Sequence, residues 1–145
     1  MINTQRIYDY LDTLKDKLAE DMHIFVRKHG DNIELIFSDC DHTYNLAVLA
    51  WSGEVTTISG TVTENFAECV EEIYRLTHDG ADVMSADDAP VEICAEVLLQ
   101  LAAIAVHDKY ETYEYLNKFV NINAVKSLFV EKKEYITVLG EKIEI

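Results

Sequence analysis

The sequence predicts one α+β domain over residues 1–145, with strands and helices segregated along the chain. Three observations support this class: an amphipathic segment at the start, four short strand-like segments joined by turn residues, and a long apolar helix at residues 91–106. The predicted order is α-ββββ-α-α-(α)-ββ. This order differs from the alternation of strands and helices that builds a parallel doubly wound sheet.

The first predicted element is a helix from about Thr4 to Glu20. Its apolar residues recur at helical spacing and therefore share one face: Ile7, Leu11, Leu14 and Leu18. The side chain of Asn3 or Thr4 is suited to capping the first turn.

Four strands are predicted next, at residues 22–28, 33–38, 44–51 and 54–59. Turn residues separate them, with Gly30-Asp31-Asn32 in the first connection and Ser52-Gly53 in the last. Connections this short join only antiparallel neighbours, so we expect an antiparallel meander.

A second helix is predicted after Gly60, which is expected to end the sheet. Thr61 and Glu64 have the spacing of a capping box. The apolar face of this helix is predicted to contain Val62, Phe66, Cys69, Val70, Ile73 and Leu76. An acidic loop then leads to Val91–Val106, which is apolar nearly all round. Its one polar stripe contains Glu92, Glu96 and Gln100, and we expect this helix at the centre of the core.

The last part of the chain has a less regular pattern. Helical spacing continues past His107-Asp108 over residues 110–119, and Asn121-Ile122-Asn123 is expected to interrupt it. Residues 124–130 fit a helix or a strand, and the helix is favoured. Residues 135–139 and 142–145 predict a terminal β-hairpin.

The composition indicates a protein of a reducing compartment. The N-terminal residues lack the basic and apolar regions of a secretory signal. No apolar run reaches the roughly 20 residues that a membrane-spanning helix needs. Cys40, Cys69 and Cys94 are three thiols and cannot all pair with one another. We therefore expect a cytoplasmic protein with reduced cysteines and no membrane association.

Candidate metal ligands and nucleophiles are few. His23, His29, Cys40 and His42 are residue types that zinc accepts, but an extended strand would hold the first two histidines roughly 20 Å apart. The carboxylates beside Cys40 oppose formation of a thiolate nucleophile. The sequence has no EF-hand loop, phosphate loop or dinucleotide fingerprint. We therefore expect no metal, no cofactor and no catalytic residues.

Charge is the most informative feature for function. The net charge is −15, and residues 51–100 hold eleven acids but one base, which gives this third of the chain a net charge of −10. A surface of this kind repels nucleic-acid phosphates and attracts basic proteins. We therefore expect no direct binding of DNA or RNA.

The leading functional hypothesis is a non-enzymatic protein that binds and inhibits a basic, nucleic-acid-handling partner. DNA-mimicking anti-defence proteins of phages and immunity proteins of nuclease toxins act in this way, and the likeness is one of charge and size, without a shared motif. The residues predicted to bind the partner are Glu64, Glu68, Glu71, Glu72, Asp79, Asp82, Asp87 and Asp88.

Two alternatives come from other functional classes. A small enzyme or ligand-binding module would have a pocket with convergent polar groups between sheet and helices. A structural or oligomer-forming accessory protein would have a large exposed apolar patch. The tyrosines Tyr110, Tyr113 and Tyr115 span more than one helical face and are predicted to divide between core and interface.

Overall fold

The computed structural model describes residues 3–77 and 91–129 and confirms the predicted α+β class. Helices α1 (Thr4–Thr13) and α2 (Lys15–Met22) come first. The five strands that follow are β1 (Ile24–His29), β2 (Asn32–Ser38), β3 (Thr43–Leu49), β4 (Val55–Thr57) and β5 (Gly60–Thr63). The later helices are α3 (Phe66–Thr77), α4 (Val91–Asp108) and α5 (Ile122–Leu128), and a short 3-10 turn at Leu116–Lys118 precedes α5.

The strands form one antiparallel sheet in the order β1-β2-β3-β4-β5. The predicted meander is confirmed, with five strands where four were expected. Alternate residues of β2 are buried, namely Ile33, Leu35 and Phe37, because side chains of a strand point to opposite faces in turn. Helices α1, α2 and α4 all contact the sheet.

The prediction of one unbroken helix over residues 4–20 is wrong. The chain leaves helical geometry at Leu14, whose N–H donates to the Leu11 carbonyl at 3.0 Å in a tighter turn. The hydroxyl of Thr13 donates to the Tyr10 carbonyl at 2.6 Å, and threonine bonds of this kind bend helices. A second helix then continues to Met22, so β1 begins at Ile24, after His23 has turned the chain at a φ of 55°.

The prediction that Gly60 ends the sheet is also wrong. Gly60 has a φ of +107°, which glycine adopts readily, and it reverses the chain into β5. Its carbonyl accepts from the Thr57 hydroxyl at 3.1 Å and closes this turn. Val62 is therefore an exposed strand residue and does not belong to the apolar face of α3.

Helix α4 lies at the centre of the core, as predicted. Eleven of its 18 residues are buried, and it contacts α1, α3, α5, β3 and β4. The polar stripe of Glu92, Glu96 and Gln100 is only half-buried. Burial and the nearby charges of Glu92 and Glu96 raise the pKa of the Tyr10 phenol on α1 to about 12.

The predicted continuation of helix past residue 108 is wrong. The N–H groups of Lys109 and Tyr110 donate three residues back, to Val106 and His107, at 3.3 and 3.0 Å. The Asn117 side chain donates to the same Val106 carbonyl at 3.3 Å, which a continuing helix would have used. A series of turns therefore replaces the helix as far as Leu116–Lys118.

Helix α5 confirms the helical interpretation of residues 124–130 over most of that range. Asn121 caps it, because its side-chain oxygen accepts from the Ala124 N–H at 2.9 Å. The predicted hairpin at residues 135–145 and acidic loop at residues 79–89 lie outside the described residues. None of the described helices has both the length and the apolar character needed to cross a bilayer.

We expect Leu98→Asp to unfold the protein, because Leu98 is fully buried in α4 and an isolated buried carboxylate is costly. The loss of unfolding free energy should exceed about 4 kcal/mol. Ile104→Asp is the matched control, since Ile104 lies on the same helix with 45% of its surface exposed, and it should cost about 1 kcal/mol. Thermal unfolding followed by circular dichroism measures both. Similar melting temperatures for the two variants would contradict the placement of α4.

Candidate functional site

The start of helix α3 positions the predicted acidic residues. The side-chain oxygen of Asn65 accepts from the Glu68 N–H at 3.1 Å, and the Asn65 amide nitrogen donates to the Glu68 carboxylate at 3.3 Å. Asn65 therefore caps the helix, and its side-chain amide also holds the Glu68 carboxylate. The predicted capping pair of Thr61 and Glu64 is wrong, because Thr61 belongs to β5 and Glu64 precedes the helix.

Burial of one face of α3 turns its carboxylates outward. Phe66 is fully buried, and its N–H donates to the Gly53 carbonyl at 2.8 Å. Val70, four residues later, is also fully buried on the same face. Glu68 and Glu72 lie on another face and are exposed.

Three predicted partner-binding residues line one shallow depression of about 280 Å³. Its lining is Thr63, Glu64, Asn65, Glu68, Cys69 and Glu72, and we call this surface the acidic depression. The ion pairs formed among the described side chains, those of residues 3–72 and 91–129, do not include Glu64, Glu68 or Glu72. Burial and the charge of Glu72 raise the pKa of the Cys69 thiol. The depression therefore has three carboxylates and a thiol that favours its protonated form.

The other predicted partner-binding residues do not join this group. Glu71 is half-buried and lies outside the lining. The four aspartates Asp79, Asp82, Asp87 and Asp88 lie outside the described residues. The acidic depression is therefore the described part of the predicted surface.

The structure separates the side chains that resembled a zinc set in the sequence. His23 packs its ring edge-on against Phe119, with 4.7 Å between ring centroids, whereas His29 is exposed and lies 3.8 Å from Glu34. Cys40 is exposed in the β2–β3 loop. In the part of the chain that the structure describes, no three His, Cys, Asp or Glu side chains are grouped to hold a metal ion.

The β2–β3 loop is fastened to the turns after α4 by a contact that the sequence did not indicate. The Tyr115 hydroxyl donates to one Asp39 carboxylate oxygen at 2.5 Å. The other carboxylate oxygen accepts from the N–H groups of Asp41 and His42 at 2.9 and 2.8 Å. The His42 ring stacks on Tyr115, with ring centroids 4.5 Å apart. Asp39 therefore organises both its own loop and a segment 76 residues away.

These hydrogen bonds shift the pKa values of both Asp39 and Tyr115. The Tyr115 hydroxyl, assisted by the backbone N–H groups, lowers the pKa of Asp39 from 3.8 to about 2. The same bond to Asp39 raises the pKa of Tyr115. The loop is thus held by a carboxylate that stays charged at neutral pH.

The three tyrosines divide between core and surface, as the sequence predicted. Tyr113 packs on the core and meets Tyr44 edge-on, with ring centroids 5.6 Å apart. Tyr110 has half of its surface exposed, and Tyr115 is exposed beside Asp39.

A second concave surface lies between the end of α4, the turns that follow it, and the start of α5. This cleft has a volume of about 420 Å³, and its lining includes His107, Tyr110, Glu114, Asn117, Lys118 and Ile122. It shares no lining residue with the acidic depression. None of its residues was a predicted partner-binding residue.

Comparison of the chain with protein-family models, with curated proteins and with solved structures finds no significant match in any of the three.

We expect Tyr115→Phe to raise the pKa of Asp39 part of the way from about 2 toward 3.8, because only the hydroxyl contribution is lost. A carbon-detected NMR titration of the Asp39 carboxyl group measures this. Since the folded pKa is depressed, the stability linked to the charged form is present above about pH 4 and is lost as the pH falls toward 2.

Tyr110→Phe is the control for this variant, because it removes a hydroxyl from an exposed tyrosine of the same segment. It should leave the Asp39 titration unchanged. An unchanged Asp39 pKa in Tyr115→Phe would show that the hydroxyl does not hold the carboxylate in solution.

Proposed function

We propose that this chain is a non-enzymatic protein that binds a basic, nucleic-acid-handling protein and blocks its phosphate-binding surface. The observation that carries the proposal is the acidic depression, where Glu64, Glu68 and Glu72 surround one concave surface. Among the described side chains, those of residues 3–72 and 91–129, no ion pair neutralises these charges. Three exposed carboxylates on one concave surface are suited to lysine and arginine side chains.

The spacing of the carboxylates favours an extended basic groove as the partner surface. Glu68 and Glu72 are four residues apart on α3, so their backbone positions are separated by about 6 Å along the helix axis. Glu64 precedes the helix and lines the same depression. A row of negative charges along one direction presents to a basic groove the same kind of field as a nucleic-acid backbone.

The overall charge of the chain supports the same proposal. Eleven acids and one base occupy residues 51–100 within a chain of net charge −15. Solubility alone is served by about 2–8 net charges with both signs interspersed. Concentrated like charge also costs folding stability through self-repulsion. Binding to a basic partner would offset that repulsion, whereas solvation of the surface needs no such concentration.

The capping geometry adds preorganisation to this surface. Glu68 is held by Asn65, and the helix is anchored by Phe66 in the core. Less side-chain freedom is then lost when a cation is bound, which lowers the entropic cost of association. An anti-defence protein that mimics DNA and an immunity protein that blocks a nuclease toxin would both use such a surface.

The test compares the wild type with the variant Glu64→Gln/Glu68→Gln/Glu72→Gln in a pull-down from a bacterial lysate at low and high salt. Nucleic-acid-processing proteins should be retained by the wild type at low salt and released at high salt, because screening is effective beyond about 8 Å at physiological ionic strength. For a captured protein, the triple variant should associate about tenfold more slowly at low salt and with a flatter salt dependence.

The matched control is Asp12→Asn/Asp16→Asn/Glu20→Gln, which removes the same number of exposed charges from α1 and α2. It should retain most of the association rate. Equal association rates for wild type and triple variant, or an equal loss in the control, would contradict the proposal. The Asn65 cap bonds the backbone N–H of residue 68, and a glutamine oxygen there can still accept from the Asn65 amide, so the melting temperature of the triple variant should not fall.

A further inference from the structure

The cleft at the end of α4 combines opposite charges that do not neutralise each other. Glu114 and Lys118 both line it, four residues apart. The ammonium of Lys118 lies over the Tyr115 ring, 5.8 Å from its centroid. Among the described residues, neither side chain belongs to an ion pair. One carboxylate and one ammonium therefore line the same small concave surface.

Two asparagines of the cleft leave one hydrogen-bond acceptor and one donor that no other described residue uses. The Asn117 amide nitrogen donates to the carbonyls of Val106 and Tyr113 at 3.3 and 3.1 Å. Both of its N–H bonds are thereby used, which leaves the side-chain carbonyl oxygen as an acceptor. The Asn121 amide donates one N–H to the Asn117 carbonyl at 3.0 Å and retains a second N–H.

Apolar surface completes the cleft. The Tyr110 ring has half of its surface exposed, and Ile122 is half-buried at the start of α5. The volume of about 420 Å³ lies within the usual range for small-molecule sites, roughly 300–1,000 Å³. The cleft therefore fits a small ligand that has two opposite charges and an apolar group.

We propose that this cleft binds a free α-amino acid with an apolar side chain. The ligand ammonium pairs with the Glu114 carboxylate and the Asn117 carbonyl oxygen. The ligand carboxylate pairs with the Lys118 ammonium and accepts from the Asn121 amide. The ligand side chain lies on Tyr110 and Ile122. A purely anionic or cationic ligand would instead meet one like charge in the same space. The site is independent of the acidic depression.

The first experiment uses isothermal titration calorimetry with the wild-type protein, with L-phenylalanine and L-leucine as probes. At least one of them should bind. For the amino acid that binds, the N-acetylated form lacks the ammonium and the amide form lacks the carboxylate. Each blocked form should bind about tenfold more weakly, because each loses a charge-assisted hydrogen bond. Absence of binding by both amino acids, or equal binding of the blocked forms, would overturn the proposal.

The second experiment assigns the two charges to residues. Glu114→Gln should weaken the free amino acid about tenfold and leave the N-acetylated form unaffected, whereas Lys118→Gln should spare the amide form. Glu111→Gln and Lys109→Gln are the controls. These exposed residues belong to the turns after α4 and line a separate cavity there, not the cleft. Their binding should match the wild type. An effect of the controls as large as that of the cleft variants would refute the assigned site.

Discussion

Burial of helix α4 is the constraint on which the rest of the described structure depends. Its apolar residues face in nearly all directions, so α4 cannot rest on the surface with one side in water. Sheet strands β3 and β4 cover it on one side, and α1, α3 and α5 cover it on others. Burial, together with the charges of the half-buried Glu92 and Glu96, raises the pKa of the Tyr10 phenol to about 12. The stability linked to the neutral phenol is therefore present below pH 10 and is lost as the pH approaches 12.

The sequence predicted those elements that have a regular apolar or turn pattern and failed where a single hydrogen bond or backbone angle decides. The apolar pattern identified α4, and the short turn-like connections between the strands identified the antiparallel meander. The break at Leu14 depends on a threonine back-bond, and the reversal at Gly60 depends on a positive φ, neither of which changes the apolar pattern. The end of α4 is set by Asn117, which captures the Val106 carbonyl from 11 residues further along the chain.

The sequence indicated part of the acidic depression but did not indicate the cleft. Glu68 and Glu72 lie off the apolar face of an amphipathic helix, so their exposure follows from spacing. Their shared depression with Glu64 depends on where the helix begins, and the sequence placed that start too early. The cleft residues His107, Tyr110, Glu114, Asn117 and Asn121 are spaced as on one helical face, but turns replace the helix there, so the spacing did not predict the cleft. The link between Asp39 and Tyr115 likewise spans 76 residues and has no local signal.

The charges of the acidic depression and those of the cleft act over different distances. The depression has three carboxylates and belongs to the strongly negative third of the chain, so its attraction extends to a partner before contact and is screened by salt. Glu114 and Lys118 have opposite signs, and their fields cancel at a distance of a few ångströms beyond the cleft. The cleft therefore attracts a distant ligand only weakly, and its two charges act on a ligand that is already in contact with them. A partner held at the depression and a zwitterion in the cleft would accordingly respond to salt in different degrees, strongly in the first case and weakly in the second.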